Sequence, residues 1–188
     1  MPRDACRRCD AGFTLIEVSI ALGLIAIALV GVVQIFVIAI RATDAARVQT
    51  TTTVLAAQKV EQLRALTWTT DANGVPVSDT RTNLAVDPPD RSGAGLSASP
   101  ASTLDSNTAG FVDFLSSQSE WVGTGATPPA SARYIRRWRI QPLPEDPANL
   151  LAVQVLVTTV ERDRQAATGA NRTRLAGDAL TTTVMARR

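Results

Sequence analysis

The stretch Ala11-Gly12-Phe13-Thr14-Leu15-Ile16-Glu17-Val18, continued without a break by SIALGLIAIALVGVVQIFVIAI as far as Ile40, decides how this chain is read. Residues 18–40 carry no ionisable side chain. At about 1.5 Å per residue these roughly 23 positions match the ~30 Å hydrocarbon thickness of a bilayer, so they predict a membrane-spanning helix. Arg3, Arg7 and Arg8 precede the run, as they would in a secretory signal peptide. The run is longer than the ~7 to 15 apolar residues of such a peptide, however, and no convincing small-residue cut site follows it. By the positive-inside rule the arginines hold the N-terminus in the cytoplasm and place the bulk of the chain outside, a contrast that Arg41 and Arg47 on the far side reduce.

Glu17 does not suit a plain anchor. A carboxylate in an apolar helix is costly unless it stays at the interface or meets a cation, which marks it as a functional candidate. The competing reading places it in the first helical turn, where it favours the helix dipole.

Composition narrows the chemistry. The chain has 188 residues, 45% apolar and 19% charged, with a net charge of +2, enough for about one domain and an appendage. It has no histidine, and its two cysteines, Cys6 and Cys9, lie near the start. Histidine-activated serine or cysteine nucleophiles and histidine-ligated zinc are therefore excluded. Cys6-Arg7-Arg8-Cys9 has C-x-x-C spacing but no second pair to complete a metal tetrahedron. A pI near 8.9 without a strong net charge argues against a dedicated nucleic-acid binder. No metal site and no cofactor is expected.

The segment from Ala11 to Val18, with its short basic leader and the apolar run behind it, resembles the class III signal of type IV pilins and type II secretion pseudopilins. The resemblance implies that a prepilin peptidase cuts between Gly12 and Phe13, that the new amino terminus of Phe13 is N-methylated, and that the anchor survives the cut. It also implies that in the assembled filament the Glu17 carboxylate neutralises a neighbouring subunit's amine. The residues suit these roles. Gly12 has no side chain to obstruct a protease cleft. Glu17 lies four residues after Phe13 on one helical face, and two charges buried as a pair cost less than either alone. Thr14, whose hydroxyl can satisfy an orphan backbone group, is a weaker helper. Two departures from the family are visible: the mature chain would lack the C-terminal disulfide of many pilins, and the mid-anchor proline of many major pilins is missing, with Gly23, Gly31 and Gln34 as the only interruptions.

Beyond the anchor the helical pattern runs to about Leu66, with no Gly or Pro from Val32 to Asn73. Ala56, Val60 and Leu63, with Leu55 and Leu66 beside them, make one apolar stripe; Gln58, Lys59, Glu61, Gln62 and Arg64 make the opposite face. The β-branched run from Thr50 to Thr53 is the soft spot. An unbroken helix of this extent would reach about 80 Å, more than a small core can cover, so its first half is expected to project. Residues 67–132 are rich in Thr, Ser, Gly, Pro, Asn and Asp and read as turns and irregular connections, with Phe111, Phe114, Leu115 and Trp121 as docking anchors. Asp71 and Asn73 faintly suit a calcium loop, but the downstream glutamate is missing and a turn is favoured. Three strands are expected in the last third: residues 134–140; residues 151–160, with Leu151, Val153, Val155 and Val157 on one face; and residues 179–185, with Leu180, Thr182 and Val184 on one side. Residues 141–149 would join the first two and residues 163–171 would make the next turn. Arg133, Arg136, Arg137 and Arg139 read as a solvated sheet face or subunit contact rather than a nucleic-acid groove, with alternation sending Arg136 opposite to Arg137 and Arg139. Asp105, Asp113, Glu120 and Asp163 form no catalytic pair that spacing reveals.

The expected architecture is α+β: a long N-terminal helix, membrane-spanning in its first half and amphipathic in its second, packed against a small antiparallel sheet, as in the pilin fold. Its parts are a cleaved leader (1–12), a transmembrane and filament-core helix (13–40), an amphipathic half (41–66), a long connection (67–132) and the sheet (133–188). The segment around Gln58-Lys59-Val60-Glu61 and the later strands resemble the low-abundance, PilV-like pilins. That resemblance implies a minor pilin rather than an enzyme, anchored in the inner membrane with its C-terminal part in the periplasm and then carried into a pilus. Its partners would be prepilin peptidase and other pilins, with no small-molecule substrate. A minor pseudopilin of a type II secretion system shares every one of these features, and a membrane-anchored periplasmic enzyme or sensor is the reading from another class.

Overall fold

The computed structural model describes residues 13–167 and 176–188. The leader, with Gly12, Cys6 and Cys9, lies outside the described residues, as does the end of the turn expected over 163–171. The chain divides into two compact units, Met1–Asp44 and Ala45–Arg188.

Helix α1 spans Leu15–Arg64. Thr14 caps it: the Glu17 N–H donates to the Thr14 hydroxyl at 3.3 Å, and the Thr14 carbonyl accepts from the N–H groups of Glu17 and Val18 at 3.1 and 3.2 Å, which satisfies donors that a helix start otherwise leaves free. In the first unit every described residue from 13 to 44 is exposed. The threonine run at 50–53 stays helical because its hydroxyls fold back on the preceding turn, Thr50 to Ala46 O at 3.0 Å and Thr53 to Gln49 O at 2.8 Å. Thr52 also donates to Gly177 O at 2.9 Å.

In the second unit α1 buries Thr52, Leu55, Ala56, Lys59, Val60 and Leu63, a stripe of helical spacing. Lys59 therefore corrects the expectation, since it sits on the buried face and not the polar one. The stripe packs on a five-stranded antiparallel sheet of order β4-β3-β5-β6-β7, built from β3 (Val112–Leu115), β4 (Trp121–Gly123), β5 (Tyr134–Pro142), β6 (Leu150–Thr159) and β7 (Ala179–Ala186). Leu151, Val153, Val155 and Val157 face the helix and join Trp138, Ile140, Leu55 and Leu63 in the main core. On β7 the inward positions are Ala179 and Met185, while Thr182 and Val184 point to solvent, so the side shared by Leu180, Thr182 and Val184 is the outer one.

The region from 67 to 132 holds more regular structure than its composition announces. Besides β3 and β4 it has a hairpin of β1 (Trp68–Thr70) and β2 (Pro76–Ser78). The Asp71 carboxylate closes that hairpin by accepting from the N–H groups of Asn73 at 2.9 Å and Val75 at 2.8 Å, with Gly74 at φ 77°; this is an Asx-type turn. Phe111, Phe114 and Leu115 are buried as expected, and the half-buried Trp121 donates its indole N–H to Ala85 O at 2.9 Å. The turn expected from residue 163 is instead the helix α2 (Val160–Ala167), with acidic residues in its first turn and the Thr159 hydroxyl accepting from Arg162 N–H at 3.3 Å.

Candidate functional site

Two constellations carry charge in apolar surroundings, and they differ in how that charge is met. The first is the start of α1. Phe13 and Leu15 are 81% and 86% exposed, and Glu17 stands in the first turn, its own N–H held by Thr14. From there the helix presents Ile16, Ile20, Leu24, Ile27, Val30, Phe36 and their neighbours to the outside. The apolar window of this helix has no part of its surface buried within the protein. Such a surface is stable only in lipid or against other apolar helices. The Glu17 carboxylate has no ion pair among the described residues.

The second constellation lies inside the globular unit. Asp113 on β3 is 1% exposed and receives Lys59 Nζ at 2.7 Å and both Nε and Nη2 of Arg136 at 2.9 and 2.8 Å. Lys59 also donates to Leu84 O at 2.7 Å and lies 4.4 Å from the Trp138 ring centroid. Burial lowers the Lys59 pKa from 10.5 to about 8; attraction to Asp113 opposes the shift, while the Arg136 charge adds to it. On the other face of β5, Arg137 makes two parallel bonds to Asp163 of α2, at 2.7 and 2.9 Å, and a third to Asn107 at 2.9 Å. The arginines thus correct the sequence reading: Arg136 and Arg137 do lie on opposite faces, but both are buried and paired, one under α1 and one under α2, and neither makes a solvated face. Arg139 is half-buried and bonded to Gln154, which leaves Arg133 as the exposed member. Asp113 and Asp163, scattered in sequence, find cations rather than each other. With its bonds spent inside the protein, the Lys59–Asp113–Arg136 group acts as a brace that ties α1, β3 and β5 together.

Of the residues singled out in sequence, Phe13, Thr14 and Glu17 stand together at the head of α1, and Gly12 lies outside the described residues. Sequence reasoning missed the buried brace, whose one available signal was the position of Lys59, three residues after Ala56 and four before Leu63.

The chain combines a helix long and apolar enough to cross a membrane with an α+β unit. The family model described as the prokaryotic N-terminal methylation motif matches residues 7–33. This signal of type IV pilins and pseudopilins, followed by the long apolar helix and the antiparallel sheet, fits a type IV pilin-like protein anchored in the inner membrane. No curated protein and no solved structure matches the chain.

Proposed function

We propose that the protein is a minor type IV pilin, cut by prepilin peptidase between Gly12 and Phe13, methylated on the Phe13 amine, and drawn from the inner membrane into a filament where it serves assembly, initiation or tip presentation. The observation that carries this reading is the methylation motif over residues 7–33 set directly on a helix whose apolar surface is uncovered through residue 44. Partition supplies the mechanism. The helix stays in lipid until packing against other pilin helices replaces the lipid contacts. The Glu17 carboxylate, four residues from the new amine, sets the register by pairing with the amine of a neighbouring subunit. Thr14 holds the first turn, and so the direction of Glu17, through its cap.

Intact mass of the membrane-extracted chain, expressed with and without a prepilin peptidase, tests the proposal. The expected product has lost residues 1–12 and gained one methyl group, only with the peptidase and not in Gly12→Val. An unprocessed chain beside an active peptidase overturns it.

A further inference from the structure

The two edges of the main sheet differ in kind. β4 is three residues long and its register against β3 slips between Phe114 and Leu115, an irregularity that discourages a further strand. β7 is eight residues long, pairs with β6 without a slip, and reads ALTTTVMA, with neither a proline nor a charge to guard it. The bond from Arg187 N–H to Asn149 O, 2.8 Å, sets the parity of the β6–β7 ladder. Residues 181, 183 and 185 bond inward to β6, and the N–H and C=O groups of Leu180, Thr182 and Val184 point out of the sheet.

Past Ala186, the last residue of that outward set, Arg188, is already occupied by the chain itself. Arg188 N–H donates to Trp68 O at 3.5 Å, and Thr70 N–H donates to Arg188 O at 2.9 Å. β1 thus begins a sixth strand position at Arg188, and among the described residues no strand continues it along 180–184. Where β1 begins, a cavity of about 670 Å³ opens, lined by Glu61, Arg64, Leu66, Trp68, Val184 and Arg188 among others. Trp68 lines it, while its indole Nε1 is buried with no hydrogen-bond partner, an unmet donor of a kind that folded proteins seldom leave. The Arg187 guanidinium lies 3.6 Å from the Trp68 ring centroid. With Arg64 and Arg188 against Glu61, the end of the slot nearest Trp68 is cationic.

We propose that this slot receives an extended segment of a different protein subunit as a sixth strand, with small or β-branched residues against Leu180, Thr182 and Val184 and a carboxylate at the end that reaches Trp68 and Arg188. The proposal rests on the filament reading in calling the partner another subunit and in setting aside a second copy of this chain. The carboxylate answers the cationic end, and main-chain pairing along Leu180, Thr182 and Val184 supplies the rest. A second copy of β7 suits the slot less well. Antiparallel pairing of β7 with itself runs about a two-fold axis normal to the sheet, which reverses residues 45–64 of α1 in one copy against the other, whereas the subunits of one filament run in the same direction.

The test uses the full chain in detergent micelles and a blocked seven-residue peptide of alternating threonine and valine ending in aspartate. The readouts are amide hydrogen exchange at residues 180–185 and the NMR shift of the Trp68 indole N–H. Exchange of the Leu180, Thr182 and Val184 amides is expected to slow at least tenfold, with Thr181 and Thr183 little changed and the Trp68 indole proton shifted by the nearby carboxylate. A lysine-ended peptide should bind about tenfold more weakly, and Thr182→Pro, whose N–H lies outside the β6 ladder, should abolish the effect without changing the melting temperature. No slowing at millimolar peptide, or equal slowing by a peptide with proline at its centre, overturns the proposal. Slowing that depends on protein concentration without peptide shows a second copy in the slot and also overturns it. Leader cleavage of the same chain is scored separately: a cleaved chain that ignores the peptide refutes the slot alone, and an uncleaved chain that takes it refutes the pilin reading alone.

Discussion

Replacing Asp113 by asparagine is expected to destabilise the unit of residues 45–188 far more than replacing Lys59 by methionine. Asp113, 1% exposed, is among the described residues the carboxylate that pairs with both Lys59 and Arg136. Asparagine keeps the shape but leaves two buried cations against each other, and breaking a buried pair from one side costs about 3–5 kcal/mol. At about 3 °C per kcal/mol for a unit of this size, the melting temperature should fall by roughly 10–15 °C. Lys59→Met leaves the two-bond Arg136–Asp113 pair intact and removes an ammonium whose burial already opposes its charge. Against that stands the Leu84 carbonyl, which loses its 2.7 Å donor, a cost of about 1–3 kcal/mol. The net change should stay below about half of that for Asp113→Asn. Thermal and urea unfolding of the full chain in micelles, followed by tryptophan fluorescence, gives both numbers. An Asp113→Asn variant within about 1 kcal/mol of the parent, or a Lys59→Met variant that costs more than Asp113→Asn, would refute the reasoning.

The same residue sets a pH dependence. Lys59 loses its proton at about 8 in the folded chain against 10.5 for an ordinary lysine. Between those values the unfolded chain binds more protons, so stability rises with pH across that window, by about 3 kcal/mol in all at ~1.4 kcal/mol per pH unit. The charges that face Lys59 are Asp113, Arg136 and Asp87, and subtracting the Lys59→Met profile isolates its share. A flat difference between the two profiles from pH 8 to 10.5 contradicts the assignment.

Arg137→Lys cannot reproduce the two parallel bonds to Asp163 and should cost about 1–3 kcal/mol, read as a lower urea midpoint with faster amide exchange in α2. A Cβ on Gly93 would fall 2.2 Å from Asn83 Cα, so Gly93→Ala should lose about 2 kcal/mol or more and deprotect the Asn83 amide, which donates to Asp90 O at 2.8 Å. The Thr82 hydroxyl, joined by the N–H groups of Arg81 and Thr82, holds the Asp79 pKa below 3.8. The stabilisation from Asp79 is therefore present above that value and lost as pH falls through the lower folded pKa; acid should release the Arg81 and Thr82 amides in the parent, with no such step in Asp79→Ala. Glu17→Leu should insert and be cut normally yet enter filaments at least tenfold less often, as counted by immunogold labelling, and parental incorporation would remove the pairing role.

Periodic segments were legible because their signal is local. The apolar run of residues 18–40, the stripe at 55, 56, 60 and 63, and the alternation from Leu151 to Val157 each announce an element and its buried face. Lys59 was misread because residue type and position disagree: its spacing from Ala56 and Leu63 says core, its ammonium says surface, and only Asp113, 54 positions away in sequence, reconciles them. Alternation placed Arg136 and Arg137 on opposite faces correctly, yet it says nothing of what covers each face, and here α1 covers one and α2 the other. β3 and β4 escaped notice because four- and three-residue strands set among Ser, Gly and Pro carry too little pattern. The methylation motif over residues 7–33 is contiguous in sequence and so shows as a pattern, whereas the open slot beside β7 depends on ladder parity and on a bond between Arg188 and Trp68 that no local pattern encodes.

One rule links the two units. A carboxylate in apolar surroundings must find a cation, because an unpaired buried charge costs more than the fold can spare. Asp113 and Asp163 meet that demand within the chain, through Arg136, Lys59 and Arg137, so neither of these carboxylates asks a neighbour for a cation. Glu17 has no ion pair among the described residues, and the helix that carries it runs on through residues 18–40 without a charge of either sign. On the proposed function its cation is the amine that cleavage would create on Phe13, or the same amine on another subunit, which would tie the neutralisation of Glu17 to processing. Glu17→Gln separates this from a mere cap role. Glutamine keeps the size and hydrogen-bonding capacity of the side chain while losing its charge, so incorporation should fall as it does for Glu17→Leu if pairing is what matters, and should hold near parental levels if the residue only completes the first turn behind Thr14.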